Sequence, residues 1–102
     1  MDAANTILRL KNARILVLLK NDARRWYASN LARESGLSYV YVAEVLEVFR
    51  NGGLIELKKE GKIRRALLTE NGLRAANALD DLIGRLAISS EVSQEKKPAE
   101  AV

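Results

Sequence analysis

The chain has 102 residues, 48% hydrophobic and 29% charged, which is enough for one small domain with a modest core. It contains no cysteine and no histidine. That excludes disulfides, Cys/His zinc sites, His general bases and Ser-His-Asp triads, so neither an enzyme nor a resident metal or cofactor is expected. The net charge is +4, and the segment Lys58 to Arg65, with five positive residues and one negative, carries all of that excess.

In chain order, Asn5 or Thr6 is placed to cap a first helix running to about Lys20. Ile7, Leu8, Leu10 and the run Ile15 to Leu19 make it apolar on more than one face, the pattern of a helix buried on two sides. That run is the longest apolar stretch and has five residues, against the roughly 20 a membrane span needs. The N-terminus also lacks a basic region followed by an apolar run, so no signal peptide is expected. A soluble, intracellular protein, cytoplasmic and with no membrane partner, is the reading.

Asn21 to Arg25 is a polar connection. Trp26-Tyr27-Ala28 is expected to form a short strand, and Ser29 to cap a helix from Asn30 to Ser35. Gly36 falls where the chain must turn sharply, Leu37 plugs the corner, and Ser38 caps the next helix, 38–51. In that helix Val42, Val45, Leu46 and Phe49 recur at i, i+3, i+4 and i+7, the spacing of one apolar face. Asn51-Gly52-Gly53 ends it, since Gly and Asn tolerate the left-handed conformation of a helix C-terminus. Leu54 to Lys59 and Ile63 to Leu68 read as two strands joined through Glu60-Gly61-Lys62, with Gly61 supplying the positive φ of a tight hairpin.

Thr69 starts a last helix, 69–88. Leu73, Ala76, Leu79, Leu82, Ile83 and Leu86 form its apolar stripe, and about 19 residues at 1.5 Å each span some 28 Å. One small domain cannot cover such a stripe. A second copy of the chain is the economical cover, with Ile7, Leu8, Leu79, Leu82, Ile83 and Leu86 as the interface. The alternative is a monomer in which this helix folds back over the first. Asp80-Asp81 has the look of a metal pair, but adjacent helix residues diverge by about 100°, which favours a solvated face. The expected division is a domain over 1–88 and a disordered polar tail over 89–102, which holds the only proline.

Helix, turn, helix and a hairpin with a basic tip, in that order, build a winged helix-turn-helix, an α+β but mainly α fold with a C-terminal dimerisation helix. This fold most often holds nucleic acid. Over about residues 7–88 the chain resembles winged-helix transcription regulators of the MarR-like, PadR-like and ArsR-like families and small archaeal winged-helix DNA-binding proteins. Three pieces carry the resemblance: RILVLL in the first helix, LARESGLSYVYVAEVLEVFRNGGLIE in the motif, and LTENG after the wing. It implies a homodimer on double-stranded DNA, with two recognition helices in successive major grooves, wings on the flanking backbone, and half-sites about one helical turn apart.

One departure from the family pattern is plain. The second helix of the motif usually shows Arg, Lys, Ser, Thr, Asn or Gln to base edges, yet no Arg or Lys lies between Ser38 and Phe49. A helical wheel turns Val40, Tyr41, Glu44, Glu47 and Val48 outward. Three readings follow. In the first the helix enters the groove, with Tyr39, Val40 and Tyr41 against thymine methyls or phosphates, Glu44 accepting from cytosine N4, and Ser38 with the helix N-terminus at a phosphate. Affinity then comes from Lys58, Lys59, Lys62, Arg64 and Arg65 on the wing and from Arg24, Arg25 and Arg33. In the second the wing leads, and binding is largely sequence-independent, as in an architectural protein. In the third the Tyr-Val surface docks another protein.

The same residues have plainer roles open to them. A basic hairpin can be a solvated edge protected against pairing. Arg24 and Arg25 can be solvated loop charges, and Tyr39 and Tyr41 can be packing residues. Trp26 suits a core plug beneath the wing better than a base-stacking platform. Arg64 and Arg65 alternate along a strand and point to opposite faces.

Overall fold

In the computed structural model, which describes residues 9–96 and side chains as far as residue 86, the elements run α1 (Leu10–Leu18), α2 (Ala28–Ser35), α3 (Tyr39–Asn51), β1 (Ile55–Glu60), β2 (Ile63–Leu68) and α4 (Glu70–Lys96). With its single two-stranded antiparallel sheet, this is the mainly α, α+β winged helix-turn-helix that the sequence predicts. Ile7 and Leu8 lie outside the described residues, as does the expected cap at Asn5 or Thr6.

The motif closes at Gly36, whose φ of 74° is costly for any residue with a Cβ. The N–H groups of Gly36 and Leu37 both donate to the Ala32 carbonyl, which ends α2. Ser38 then caps α3, its hydroxyl accepting from the Tyr41 N–H at 3.1 Å. Val42, Val45, Leu46 and Phe49 are buried to the last atom or nearly so, as their spacing requires. They meet Ile15, Leu16 and Leu19 of the α1 segment, Leu31 and Ala32 of α2, Leu54, Ile55 and Ala66 of the wing, and Ala76 of α4. At about 1.5–3 kcal/mol for each large apolar side chain removed from water, this cluster supplies the main force for folding.

Expectations for α2, the strand at Trp26 and the last helix are corrected. First, α2 begins at Ala28 rather than Asn30, and Ser29 does not cap it. Tyr27 is the extended residue at the helix start, and its N–H donates to the Asn30 side chain at 2.8 Å. Asn30 thus does from inside the helix what Glu or Gln does in a capping box. Second, the strand expected over Trp26 to Ala28 shrinks to one antiparallel bridge, Trp26 with Ala66, because α2 has already claimed Ala28. Trp26 itself is a core plug, buried, with its indole N–H donating to the Asn21 carbonyl at 2.8 Å. Third, the last helix does not stop near residue 88. It continues to Lys96, across eight residues assigned above to the tail. Ser89 to Lys96 contains neither Gly nor Pro, and the first helix-breaking residue is Pro98, which disfavours helix at the residue before it.

The wing is held to the body at both ends. Strand β1 starts one residue later than expected because Leu54 is spent on the junction: its N–H donates to the Phe49 carbonyl and its carbonyl accepts from the Thr69 N–H. Thr69 caps α4, its hydroxyl accepting from the Gly72 N–H and donating to the Gly53 carbonyl. Gly72 is pressed against Leu54 so closely that a Cβ there would collide with the Leu54 backbone. Along the hairpin Ile55 pairs with Leu68 and Glu60 with Ile63, leaving Gly61-Lys62 as a two-residue loop with Gly61 at φ 63°. Among the described residues no helix is long and apolar enough to cross a membrane.

Candidate nucleic-acid interface

The cap at Ser38 leaves the N–H groups of Tyr39 and Val40 among the orphan donors of the first turn of α3, at the positive end of its dipole. The side chains there are open to solvent: Tyr39 is 59% exposed, Val40 is 66% exposed, and Glu44 one turn on is exposed as well. Tyr41 turns the other way. Its ring is half-buried, and its hydroxyl donates at 2.8 Å to Asn12, a fully buried residue of α1. The outward face of α3 is therefore Tyr39, Val40 and Glu44, and Tyr41 ties the helix to the body.

The wing comes up beside this face. A cleft of about 170 Å³ runs between the start of α2, α3 and β2, lined among others by Ser29, Tyr39, Ala43, Lys62, Ile63 and Arg64. Ile63, at the wing tip, is 52% exposed.

Two carboxylates, which sequence reasoning did not place in this role, decide which cations remain available. Glu47 on α3 accepts from Arg64 of β2 at 2.7 Å and from Arg50 at 2.8 Å. These hydrogen bonds, Arg50's first and Arg64's second, hold its carboxyl below the ordinary value of 4.5. On the opposite face of the hairpin, Glu60 accepts from the Tyr27 hydroxyl at 3.0 Å and is paired with Arg25 at 3.6 Å and, more loosely, with Arg65 at 3.9 Å. Arg24 is also engaged, pairing with Glu34 at 3.4 Å and lying 4.4 Å from the centroid of the Trp26 ring.

The basic residues expected to touch a polyanion thus fall into two groups. Arg24, Arg25, Arg64 and Arg65 each have a carboxylate partner within the chain. Lys58, Lys59 and Lys62 on the wing and Arg33 in the last turn of α2 are exposed and form no ion pair among the described residues. Only register and packing determine this division. The pairing of Lys59 with Arg64 and Lys58 with Arg65 fixes which side chain shares a hairpin face with which carboxylate.

At the other end of the molecule, α4 lies along α1. Ala76 is buried, Leu79 packs on the core, and Lys20 pairs with Asp80 at 2.8 Å. Asp81 pairs with Arg85 at 3.0 Å, so the two aspartates serve different partners. Further along the same stripe Ile83 is half-buried, while Leu82 and Leu86 stay about half exposed.

No protein-family model and no curated protein matches the chain, but solved structures do. One is a possible HxlR-family transcriptional factor of Thermoplasma volcanium, at 22% identity and a TM-score of 0.74, covering 89% of this chain and 84% of that one. A second is the homodimeric winged helix-turn-helix DNA-binding domain of a possible ArsR-family regulator of Mycobacterium bovis. It is 18% identical with a TM-score of 0.67, over 80% of this chain and 75% of that one. A third is ZitR of Lactococcus lactis in complex with DNA, at 18% identity and a TM-score of 0.68, over 83% of this chain and 60% of that one. At such identities the likeness is one of fold. It is the fold of winged-helix transcription regulators, the class to which the order of elements pointed.

Proposed function

We propose that the chain is a DNA-binding transcriptional regulator that grips double-stranded DNA as a homodimer. Helix α3 enters the major groove and the wing lies on the backbone. The observation that carries this reading is the joining, along one cleft, of the outward start of α3 with a wing whose three lysines form no ion pair among the described residues. Lys58, Lys59 and Lys62 on the wing and Arg33 on α2 supply sequence-independent attraction to phosphates. The orphan N–H groups at the start of α3 suit a phosphate. Glu44, an acceptor only, suits the amino group of cytosine in the major groove. Leu82 and Leu86, about half exposed, form the face for a second copy. Pairing of this kind sets two recognition helices about one helical turn apart. A DNA ligand places the protein inside the cell, with the nucleoid.

One observation favours a second reading. The arginines of the wing and of α3 are engaged by Glu47 and Glu60, which leaves few donors for base edges, as in a sequence-tolerant architectural protein. Selection of bound duplexes from a random pool separates the two. A regulator enriches one pseudo-palindromic site, bound about 10³-fold or more above random duplex. An architectural protein enriches none.

A further inference from the structure

The outward face of α3 reads differently once its neighbours are placed. Its nearest arginines and one of its two tyrosine hydroxyls are already occupied. Arg50 and Arg64 are bound by Glu47, and the Tyr41 hydroxyl goes to Asn12. What remains exposed at the start of the helix and across the cleft is Tyr39, Val40 and Ile63, at 59%, 66% and 52%. Lys62 lines the same cleft as Tyr39 and Ile63, and Lys58 and Lys59 lie on the strand that leads to it. The cations commit the surface to a polyanion, and the apolar side chains commit it to the one apolar feature of the major groove.

We infer that this site reads the C5-methyl groups of pyrimidines, with Val40 as the specificity-determining residue and Tyr39 beside it. The inference rests on the DNA-binding reading and narrows its ligand to duplexes with a 5-methylpyrimidine, ordinarily thymine, at a fixed place in each half-site. Thymine alone among the four bases shows a methyl in the major groove, and side chains such as Ala or Phe meet it by apolar contact. Val40 is branched, rigid and without a polar atom, so contact with a methyl is all it can contribute to a base edge. Glu44, four residues on, lies on the same side of α3. As an acceptor it pairs with an amino group and cannot pair with the O4 of thymine. The two residues therefore require different bases at the positions they meet.

The test uses the full-length chain and the best duplex recovered from a random pool. That duplex is made in two forms, one with thymine and one with uracil in its place, which differ only in the methyl. Removing one buried methyl should weaken binding about fourfold, and removing one from each of two half-sites about 15-fold. Restoring the group as 5-methylcytosine at the same pyrimidine should recover part of the loss. The Val40→Ala protein should bind the thymine and uracil forms within about a factor of two of each other. Val40 is exposed, so this variant keeps the fold. Equal binding of the two forms by the unaltered protein, or an undiminished preference in Val40→Ala, overturns methyl reading and leaves DNA binding standing. If no duplex binds even at low salt, the DNA-binding reading itself is overturned and the inference falls with it.

Discussion

Glu47 of α3 and Arg64 of β2 meet at 2.7 Å, and this ion pair joins the second helix of the motif to the wing beside it. With Arg50 on the same carboxylate, one acid engages two of the cations nearest the proposed DNA surface and cancels one of their two charges. In Glu47→Gln both guanidinium groups keep a weaker partner but recover their net charge for phosphates. The expected outcome is tighter binding to random duplex and a steeper dependence of log K on log salt, by up to about 0.9 for each additional phosphate neutralised. Salt titration of the two proteins on one duplex checks it. An unchanged slope means that neither arginine reaches the backbone.

The same carboxylate makes a prediction about pH. Its folded-state pKa lies below the ordinary 4.5 because Arg50 and Arg64 hydrogen-bond to the charged form. The stabilisation is therefore fully present above the unfolded value and is lost as pH falls through the folded one. Glu47 is about a third exposed, so the effect is small and screened by salt. Thermal midpoints of the parent and Glu47→Gln proteins should differ by a constant amount from neutral pH down to about pH 5 and converge in more acidic solution. Divergence on acidification would contradict the assignment.

Leu82 and Leu86 stay about half exposed on a stripe where Ala76 and Leu79 are packed on the core. If a second copy covers them, Leu82→Asp with Leu86→Asp should give a folded monomer by sedimentation at micromolar concentration. Affinity for a two-half-site duplex should fall toward that of a single half-site. The parent protein sedimenting as a monomer would refute the dimer directly.

Gly72 offers a test of the fold alone. A methyl at this position meets the carbonyl of Leu54, backbone that cannot swing aside. Gly72→Ala should therefore destabilise by about 1–3 kcal/mol, against the usual benefit of alanine in a helix. For a domain of this size the thermal midpoint falls by about 4–8 °C for each kcal/mol. A midpoint at or above the parent's would show that α4 does not sit this close to the junction.

The residues whose roles are local are legible in the sequence. Val42, Val45, Leu46 and Phe49 follow from a period, and Ser38, Gly36 and Gly61 follow from what caps and turns demand. The start of α2 is harder to place because Ser29 is a favoured cap residue, whereas the helix starts after Tyr27, whose N–H donates to Asn30 from inside the helix. The full extent of α4 is hidden by the polar composition of Ser89 to Lys96, which outweighs the lack of a helix breaker there when composition alone is read. The division of the cations is beyond reach. Which arginine finds Glu47 and which finds Glu60 depends on hairpin register and on how the wing leans on α3, an approach of residues 17 apart in the first case. The same holds for Tyr41, which a helical wheel turns outward and which Asn12, 29 residues earlier, draws in.

That α3 and the wing hold duplex DNA through the unpaired lysines is tested most directly by one salt series. The parent chain and a variant with Lys58, Lys59 and Lys62 all changed to Ala are titrated with the same duplex. The parent should bind at low salt with a linear fall of log K against log salt. The variant should bind more weakly to every sequence, with a slope shallower by about 0.9 for each phosphate left unneutralised. Identical affinities and slopes for the two proteins, or no binding by the parent at low salt, would contradict DNA binding through these lysines.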